Sequence, residues 1–341
     1  MRDKLLITTD YAPNTGGVAR YLVGYAKRHG IDVLTEMAEG QGREERVNRK
    51  KLLWGAWPEW LPLLFWSFVY SRKYKELVVS HILPVGYAAL LCRRPYTIIL
   101  HGLDVLNCGR NRWKKFLAKI ILERAEHIVV NSKATGELLY KVFGNPYQYD
   151  IQYPLIGPMG ERDDAAKEKY SLGGLKVILS LGRLVRRKGQ EKIIKLMPNI
   201  LEEVPNAVFT VVGSGPEGKN LKVLVEDLRL RDRVLFLGKV KDGELPSIYS
   251  ACDVFVAPSL PSKDDWEGFG MVCLEAAYFS KPVIATNTGG LSEALEDGVT
   301  GFVVKDDNEL LEKIILLLKN ESLAKKMGGA GEKRVREKFL I

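Results

Sequence analysis

Short apolar runs alternate with helical stretches along nearly the whole of this 341-residue chain, and the alternation is interrupted once and then resumes. A chain of this pattern folds into a parallel sheet with helices on both faces. The interruption, at residues 153–160, is rich in proline and glycine and indicates a linker. We therefore predict an α/β protein of two doubly wound, Rossmann-like domains, residues 1–156 and 157–341, that face each other across a cleft.

The predicted strands are the apolar runs that are rich in β-branched residues. In the first half they are Leu5–Thr9, Ile31–Thr35, Leu77–Ser80, Tyr96–Leu100 and Ile128–Asn131. In the second half they are Val177–Leu181, Phe209–Val212, Val234–Leu237, Val254–Ala257, Val283–Thr286 and Phe302–Val304. Because such sheets bind ligands beyond the carboxyl ends of their strands, the loops after these strands are the candidate functional loops.

The net positive charge of the chain comes entirely from its first half. Residues 1–156 carry 23 Lys+Arg and 14 Asp+Glu, the remainder carries 28 of each, and the net charge is +9. A basic domain is typical of proteins that bind nucleic acid, a membrane surface or a phosphorylated substrate, although such a charge can also serve solubility alone. The four cysteines form no Cys-x-x-Cys pair, which favours a reducing compartment over a disulfide scaffold or a zinc knuckle.

Residues 52–70 form the most hydrophobic segment of the chain, but Pro58, Glu59 and Pro62 interrupt it and disfavour a spanning helix. Basic clusters flank the segment on both sides. Tryptophan beside lysine and arginine favours contact with a membrane interface, and a buried helix with a loop is the alternative. The tryptophans of this segment are Trp54, Trp57, Trp60 and Trp66.

Two loops of the first half carry candidate functional residues. Gly16 and Gly17 open a helix, where backbone N–H groups can approach a phosphate, although a plain turn explains two glycines equally well. His101 and Asp104 follow the strand Tyr96–Leu100, where they could serve acid–base chemistry or orient a hydroxyl group. A structural histidine is the alternative there.

Two loops of the second half follow strands in the same way. In Gly182–Gly189, Arg183 and Lys188 can clamp a diphosphate, whereas Arg186 and Arg187 are expected to be solvated. In Val212–Pro216, a glycine turn can let a flat base lie against the backbone.

The most informative segment contains two glutamates, Glu267 and Glu275, with Gly268 and Gly270 after the first and a helix from Met271. The N–H groups around Phe269–Val272 can then point at an anion, assisted by the helix dipole. Glu275 could accept hydrogen bonds from ribose hydroxyls, and Glu267 from a sugar ring. The alternative, a helix with an acidic first turn, does not explain the glycines of the loop.

These motifs, in this order, resemble the retaining glycosyltransferases of family 4, which have the GT-B fold, and within that family bacterial lipid-linked mannosyltransferases. The resemblance implies that residues 1–156 bind the acceptor, that residues 157–341 bind the donor, and that the end of the chain packs back on the first domain. It implies that Arg183 and Lys188 hold the donor diphosphate, that Glu267 binds the transferred sugar and that His101 lies near its anomeric carbon. The other implied donor-binding residues are Gly16, Gly17, Gly213, Ser214, Val240, Phe269, Gly270, Met271, Val272 and Glu275. The implied acceptor-binding residues are Tyr11, Asn14 and Asp104.

The resemblance also implies a reaction that retains the anomeric configuration without a protein nucleophile, with electrostatic support of the departing diphosphate. The chain has no Asp-x-Asp motif, and Arg183 and Lys188 can neutralise the diphosphate, so we expect no metal and no other cofactor. The presence of these cations together with Glu267 and Glu275 disfavours a binder without activity.

The expected donor is GDP-mannose or a UDP-hexose. The expected acceptor is a glycolipid or lipid-linked glycan at an anionic membrane surface, reached from the cytoplasm. A soluble transferase that acts on a polysaccharide or a small molecule is the alternative. Nothing in the sequence resembles a nucleic-acid-reading module, so we expect no nucleic-acid partner.

Overall fold

The computed structural model describes residues 2–14, 16–38 and 44–341, which form two compact units. Unit 1 extends to Leu155 and includes Ile341, and unit 2 comprises Ile156–Leu340. The predicted boundary lay one residue later, after residue 156. No helix of the described residues is long and apolar enough to cross a membrane.

Unit 1 contains one parallel sheet. Its strands are β1 (Arg2–Ile7), β2 (Asp32–Glu36), β3 (Val47–Lys50), β4 (Tyr74–Val79), β5 (Tyr96–Leu100), β6 (His127–Val130) and β7 (Asp150–Ile151). Its helices are α1 (Gly17–His29), α2 (Leu61–Ser71), α3 (Tyr87–Cys92), α4 (Leu103–Gly109), α5 (Arg112–Arg124) and α6 (Lys133–Phe143). The strand order is β3-β2-β1-β4-β5-β6-β7.

Unit 2 contains a second parallel sheet. Its strands are β8 (Lys176–Leu181), β9 (Ala207–Val212), β10 (Val234–Gly238), β11 (Val254–Ala257), β12 (Val283–Thr286) and β13 (Gly301–Val304). Its helices are α7 (Ala166–Lys169), α8 (Gln190–Glu203), α9 (Gly218–Asp227), α10 (Leu245–Ala251), α11 (Met271–Tyr278), α12 (Asp307–Lys319) and α13 (Glu321–Lys338). The strand order is β10-β9-β8-β11-β12-β13.

The central strands are apolar on both faces because helices cover both sides of each sheet. Leu5, Leu6 and Ile7 of β1 are all fully buried, and so are the central residues of β9 and β11. This burial explains why continuous apolar runs in the sequence predict the strands. The predicted α/β class with two doubly wound sheets is confirmed.

The strand order of each sheet has one switch point, at which the next strand of the chain is added on the opposite side of the first strand. In unit 1, β4 pairs with β1 on the side away from β2, and in unit 2, β11 pairs with β8 on the side away from β9. Loops that leave the carboxyl ends of such neighbouring strands diverge and open a crevice between them. The loops after β1 and β4, and those after β8 and β11, are therefore the ones placed to form a site.

Candidate active site

A buried cluster of opposite charges lies at the carboxyl edge of the sheet in unit 2. The Glu267 carboxylate accepts a hydrogen bond from Lys188 Nζ at 2.7 Å and another from the Arg187 guanidinium, 80 residues away in the chain. Arg187 Nε also forms an ion pair with the Asp265 carboxylate at 2.7 Å. The loops after β8 and β11 carry these four residues, so the switch point of the sheet brings them together.

Two opposing effects set the charge of Glu267. Burial raises the pKa of its carboxyl group, whereas Lys188 and Arg187 lower it, and the net result is a pKa of about 2. The carboxylate is therefore ionised at neutral pH and its charge is balanced by two cations. A buried charge of this kind is tolerated only while its partners are in place.

The two arginines of the basic loop differ in their surroundings. We predicted that Arg187 is solvated, and this is wrong: its side chain is buried against Glu267 and Asp265. The two carboxylates neutralise the guanidinium and make its burial tolerable. Arg183 is 69% exposed and approaches Asp265 Oδ2 only to 3.8 Å, which leaves its guanidinium accessible to an incoming anion.

Glycine is required at two turns of this edge. Gly189 has a φ of 69°, and a Cβ there would overlap the carbonyl oxygen of Pro258. Gly213 has a φ of 132°, and a Cβ there would overlap the carbonyl oxygen of Gly182. Only a residue without a side chain allows this close approach of the loops after β8, β9 and β11.

The residues predicted to line a base pocket follow neighbouring strands. The Ser214 carbonyl oxygen accepts a hydrogen bond from Leu184 N at 3.0 Å, and Gly213 directly follows β9. Val240 follows β10 and is half-buried. Because β9 and β10 are adjacent strands, the three predicted residues lie near one another at the carboxyl edge of the sheet.

Helix α11 begins beside the charge cluster. The residues predicted to present backbone N–H groups are Phe269, Gly270, Met271 and Val272, and α11 starts at the third of them. The first N–H groups of a helix lack partners within the helix and can serve an anion. Glu275, one turn further on, is buried and accepts a hydrogen bond from Tyr249 Oη at 2.8 Å.

Two histidines and a carboxylate meet at the carboxyl edge of unit 1. His81 follows β4 and His101 follows β5, and their ring centroids are 5.5 Å apart. Asp104 Oδ1 accepts a hydrogen bond from the backbone N–H of His101 at 3.0 Å. His101 Nε2 and Asp104 Oδ2 are buried and have no hydrogen-bond partner among the described residues. Orphaned polar atoms are costly, and they indicate a place for a ligand or a water molecule.

Burial also sets the protonation of this cluster. Burial lowers the pKa of His101 well below its ordinary value, and the neighbouring His81 lowers it further. Burial lowers the pKa of His81 as well, although Asp104 and Asp10 act in the opposite direction. Both imidazoles are therefore neutral at pH 7. Burial raises the pKa of Asp104.

The loop after β1 carries the other predicted residues of unit 1. Gly16 and Gly17 form the start of α1. Tyr11 is buried, and this burial raises the pKa of its phenol to about 12. Asn14 is exposed and donates a hydrogen bond from Nδ2 to Asp10 Oδ1 at 3.0 Å.

The tryptophan-rich segment contains buried, half-buried and exposed side chains. Five of the exposed apolar side chains form what we call the α2 surface: Trp54, Trp57, Leu61, Phe65 and Phe68. The half-buried ones pack inward: Trp60 contacts Tyr87 edge to face, and Trp66 lies under the ammonium group of Lys50, 4.7 Å from the ring centroid. The guanidinium of Arg72 lies 4.4 Å from the ring centroid of Phe68, so cations border the α2 surface.

Sequence reasoning missed two residues of these sites. His81 follows a predicted strand just as His101 does, so the same rule could have found it. Arg187 carries no local signal, since only its contacts distinguish it from the exposed Arg186 next to it.

The chain is similar to one protein family and to several known proteins. The family described as Glycosyl transferases group 1 matches residues 162–334, just over half of the chain. A GDP-mannose-dependent alpha-(1-6)-phosphatidylinositol monomannoside mannosyltransferase from Mycobacterium tuberculosis is 36% identical over 369 residues, which cover 97% of this chain and 93% of that protein. The protein of the same name from Mycolicibacterium smegmatis is 28% identical and covers 96% of this chain and 92% of its own length.

Among solved structures, sucrose-phosphate synthase from Thermosynechococcus elongatus superposes with a TM-score of 0.85 at 24% identity, over 100% of this chain and 95% of that chain. Anabaena HepE in complex with UDP and glucose superposes with a TM-score of 0.81 at 21% identity, over 99% and 96%. At these identities the likeness establishes the fold, and the predicted GT-B architecture is confirmed. The family match and the identity to the mycobacterial protein together show that this chain belongs to the group 1 glycosyl transferases, as its resemblance to family 4 predicted.

Proposed function

We propose that this glycosyltransferase moves a mannose from GDP-mannose to a hydroxyl group of a lipid-linked glycan, with retention of configuration and without a metal ion. The observation that carries the proposal is the pair of cations at the edge of unit 2, Lys188 bound to Glu267 at 2.7 Å and Arg183 exposed beside it. A paired point charge and planar guanidinium suit the diphosphate of a nucleotide-sugar.

The two mycobacterial relatives support the choice of donor and acceptor, because both are named as GDP-mannose-dependent enzymes that act on a phosphatidylinositol mannoside. Their names favour a glycolipid acceptor over a polysaccharide or small molecule. A UDP-hexose is the second candidate donor.

In this proposal Arg183 and Lys188 offset the negative charge that develops on the departing diphosphate, which is the main catalytic contribution. Glu267 accepts hydrogen bonds from hydroxyl groups of the transferred sugar, and Glu275 from the ribose. Both carboxyl groups lie on or beside α11, whose first N–H groups add to the binding of the phosphates.

Retention of configuration is what the resemblance to family 4 implies, and the contacts of Glu267 support a reaction without a protein nucleophile. Its carboxylate is held by Lys188 and Arg187, which lower its pKa to about 2 and make it a poor nucleophile. We therefore propose attack by the acceptor hydroxyl on the face that the diphosphate leaves, through an oxocarbenium-like state. Positioning of the acceptor then supplies much of the remaining rate enhancement.

A panel of nucleotide-sugars, scored by release of nucleotide with and without a phosphatidylinositol mannoside acceptor, tests the proposal. We expect GDP-mannose with the lipid acceptor to give the fastest release, an α-linked product by NMR, and full activity in EDTA. If nucleotide is released from none of the nucleotide-sugars, the proposed function is wrong. If activity is lost in EDTA, the proposed metal independence is wrong.

We further propose that unit 1 docks on the cytoplasmic face of an anionic membrane through the α2 surface. Trp57 is 89% exposed and Phe65 is 60% exposed, and Lys50 and Arg72 border the patch. Aromatic rings at headgroup depth flanked by cations are typical of interfacial binding. The excess of nine positive charges in residues 1–156 adds attraction to an anionic surface.

Co-sedimentation with vesicles of phosphatidylglycerol and phosphatidylcholine tests this docking. We expect binding that increases with the fraction of phosphatidylglycerol and falls steeply between low and high salt, because screening weakens the charge contribution. Binding that is absent or indifferent to salt and lipid charge contradicts the proposed anionic surface.

A further inference from the structure

Helix α5 carries apolar side chains on two opposite sides. Ala118, Ile121 and Leu122 are buried and form its inner side. Trp113, near the N-terminal end of the helix, is 81% exposed, and Phe116, three residues later on the same side, is 60% exposed. An ordinary surface helix is apolar only on the side that faces the core. The outer apolar side of α5 therefore needs an explanation other than packing within unit 1.

The position of Trp113 follows from the way the helix begins. The side chain of Asn111 accepts hydrogen bonds from the backbone N–H groups of Trp113 at 2.9 Å and Lys114 at 3.1 Å. A cap of this kind satisfies N–H groups that the helix leaves open and fixes its first turn. Ile120 is half-buried and continues the outer side one turn after Phe116. We call Trp113, Phe116 and Ile120 the α5 surface.

Positive charge accompanies the α5 surface. Between Asp104 and Glu123 the chain has five basic residues and no acidic one. They are Arg110, Arg112, Lys114, Lys115 and Lys119. Arg112 lies four residues before Phe116 and Lys119 three residues after it, so both border its ring on the helix surface. This excess favours an anionic partner.

The combination of residues favours a lipid surface over a protein. The cores of protein–protein interfaces are rich in tryptophan but depleted in lysine. At a bilayer, in contrast, an indole ring lies at the depth of the headgroups, and lysine and arginine reach the lipid phosphates with their long side chains. Aromatic and basic side chains on one helix are typical of helices that lie in the interface of an anionic membrane.

The topology places the α5 surface on the same face of the sheet as the α2 surface. Strands β4, β5 and β6 are added in turn on one side of β1, and α2, α3 and α5 belong to the connections that lead to them. Right-handed crossovers that advance in one direction lie on one face of a sheet. Helix α3 contacts both α2 and α5, so it lies between them. The two surfaces therefore belong to one layer of helices.

Both helices begin towards the carboxyl edge of the sheet. Helix α2 ends three residues before β4, and α5 ends three residues before β6, so their C-terminal ends lie at the amino edge. A crossover helix runs back along the sheet from the carboxyl ends of the strands. The N-terminal residues Leu61 of α2 and Trp113 of α5 are therefore on the side of the carboxyl edge, which also carries His101 and Asp104.

We propose that the α5 surface is a second membrane contact: Trp113 and Phe116 enter the headgroup region of an anionic phospholipid bilayer, and Arg112 and Lys119 bind lipid phosphates. One helix alone leaves the protein free to rotate about that helix, whereas two helices fix the orientation of unit 1. The carboxyl edge is then held beside the bilayer that contains a lipid-linked acceptor. The proposal rests on the proposed docking of unit 1 and on transfer to such an acceptor, and it adds a second contact.

Co-sedimentation with vesicles of phosphatidylglycerol and phosphatidylcholine tests the membrane contact. Trp113→Ser and Phe116→Ser are each expected to weaken binding about tenfold, because the apolar area of the ring stays in water. Their melting temperatures are expected to equal that of wild type, since both side chains are exposed. Val223→Ser, at a similarly exposed apolar residue of unit 2, is the matched control and is expected to bind like wild type. Wild-type binding by both α5 variants overturns the proposal, and so does a wild type that binds no vesicles.

The cations of the helix are tested separately. Arg112→Gln is expected to weaken binding about fivefold at low salt, the effect of one cation near anionic lipids, and to have little effect at high salt. Lys326→Gln, at an exposed lysine on α13 of unit 2, is the control and is expected to have no effect. Equal effects of the two substitutions overturn the assignment of lipid phosphates to α5.

Sedimentation equilibrium without vesicles separates a membrane from a second copy of the chain. We expect Trp113→Ser to have the same oligomeric state as wild type. A wild-type dimer that Trp113→Ser dissociates overturns the proposal, because the α5 surface is then an interface between copies.

Turnover separates this proposal from the proposed function. With a lipid-linked acceptor in phosphatidylglycerol vesicles, the double variant Trp113→Ser/Phe116→Ser is expected to transfer sugar at least about tenfold more slowly than wild type. With a water-soluble acceptor that lacks acyl chains, we expect equal rates. An equal loss with both acceptors overturns the membrane role. If wild type transfers sugar to neither acceptor, the proposed function is wrong, and vesicle binding alone then decides whether α5 contacts a membrane.

Discussion

The carboxyl edges of the two sheets differ in how their buried polar groups are paired. In unit 2, Glu267, Arg187 and Lys188 neutralise one another through direct hydrogen bonds. In unit 1, His101 Nε2 and Asp104 Oδ2 stay without partners among the described residues, and the neighbouring imidazoles are neutral.

In the function proposed above, this difference corresponds to two kinds of ligand. A diphosphate needs positive charge that is already oriented when it arrives, and unit 2 offers the exposed guanidinium of Arg183 beside Lys188, whose ammonium group Glu267 holds in place. A sugar or polyol needs uncharged donors and acceptors, and it can satisfy the polar atoms that unit 1 leaves open. The net charge of the two halves follows a different pattern. The excess of nine positive charges lies in residues 1–156, whereas the charged cluster lies in unit 2.

The largest effect is expected from breaking the network of unit 2. Arg187→Met leaves the buried carboxylate of Glu267 and the half-buried one of Asp265 with one partner fewer, and we expect the free energy of unfolding to fall by about 3–5 kcal/mol. Denaturant unfolding of the full chain measures it. Arg186→Met, the exposed neighbour, is the control and is expected to stay within about 0.5 kcal/mol of wild type. Equal effects of the two substitutions contradict the assigned network.

Substitution of Arg183 is expected to lower catalysis without lowering stability. Because its side chain is 69% exposed, Arg183→Ala is expected to leave the melting temperature unchanged. We expect kcat to fall about 10²- to 10³-fold, as for removal of one preorganised charge at a developing anion. Arg186→Ala is again the matched control in the nucleotide-release assay. Turnover that survives Arg183→Ala removes this residue from the diphosphate clamp.

The two edges are expected to lose stability in different pH ranges. The pKa values of His81 and His101 are lowered by burial, so below about pH 6.5 the unfolded chain binds more protons and stability falls as the pH falls. The pKa of Glu267 is about 2 instead of 4.5, so its contribution is complete above 4.5 and is lost only as the pH falls from there towards 2.

Melting temperatures measured from pH 8 to pH 5 test this difference. We expect His101→Gln to flatten the decline on acidification, and Glu267→Gln to keep the wild-type slope in this range. Asp104 is present in both wild type and His101→Gln, so the difference between their slopes reports on His101 alone. The raised pKa of Asp104 by itself makes stability rise as the pH falls. Identical slopes for wild type and His101→Gln contradict the burial of a neutral imidazole.

The smallest effect concerns the outer surface of unit 1. Trp57→Ser and Phe65→Ser are each expected to weaken vesicle binding about tenfold, from the apolar area that stays in water. Val223→Ser, an exposed apolar residue on α9 of unit 2, is the control and is expected to have no effect. Nucleotide release from GDP-mannose in the absence of vesicles is expected to be unchanged in all three. Equal vesicle binding by the variants and the control excludes the α2 surface as the docking site.

Buried strands were predictable from the sequence, whereas the two edge strands of unit 1, β3 and β7, were not. The predicted bounds of Tyr96–Leu100, Val254–Ala257 and Val283–Thr286 match the observed strands residue for residue, because strands covered on both faces are continuous apolar runs. Strand β3, Val47–Lys50, was missed because it forms an edge of the sheet, where burial imposes no apolar pattern.

Helix α2 shows a second limit of sequence reasoning. Its residues are apolar on every side, so periodicity could not separate an inward face from an outward one. Packing decided this: Leu63 and Ser67 are buried, whereas Phe65 and Phe68 face solvent.

The sequence by itself determined the two parallel sheets, the loops that carry Lys188, Glu267 and His101, and the uneven charge. Each of these follows from local patterns of burial and turn formation. Only the tertiary structure decided that Arg187 is buried against Glu267 and that Ser80 bonds Thr8, 72 residues away. Such contacts depend on which strands become neighbours, β4 beside β1 and β11 beside β8, and no local pattern specifies that order.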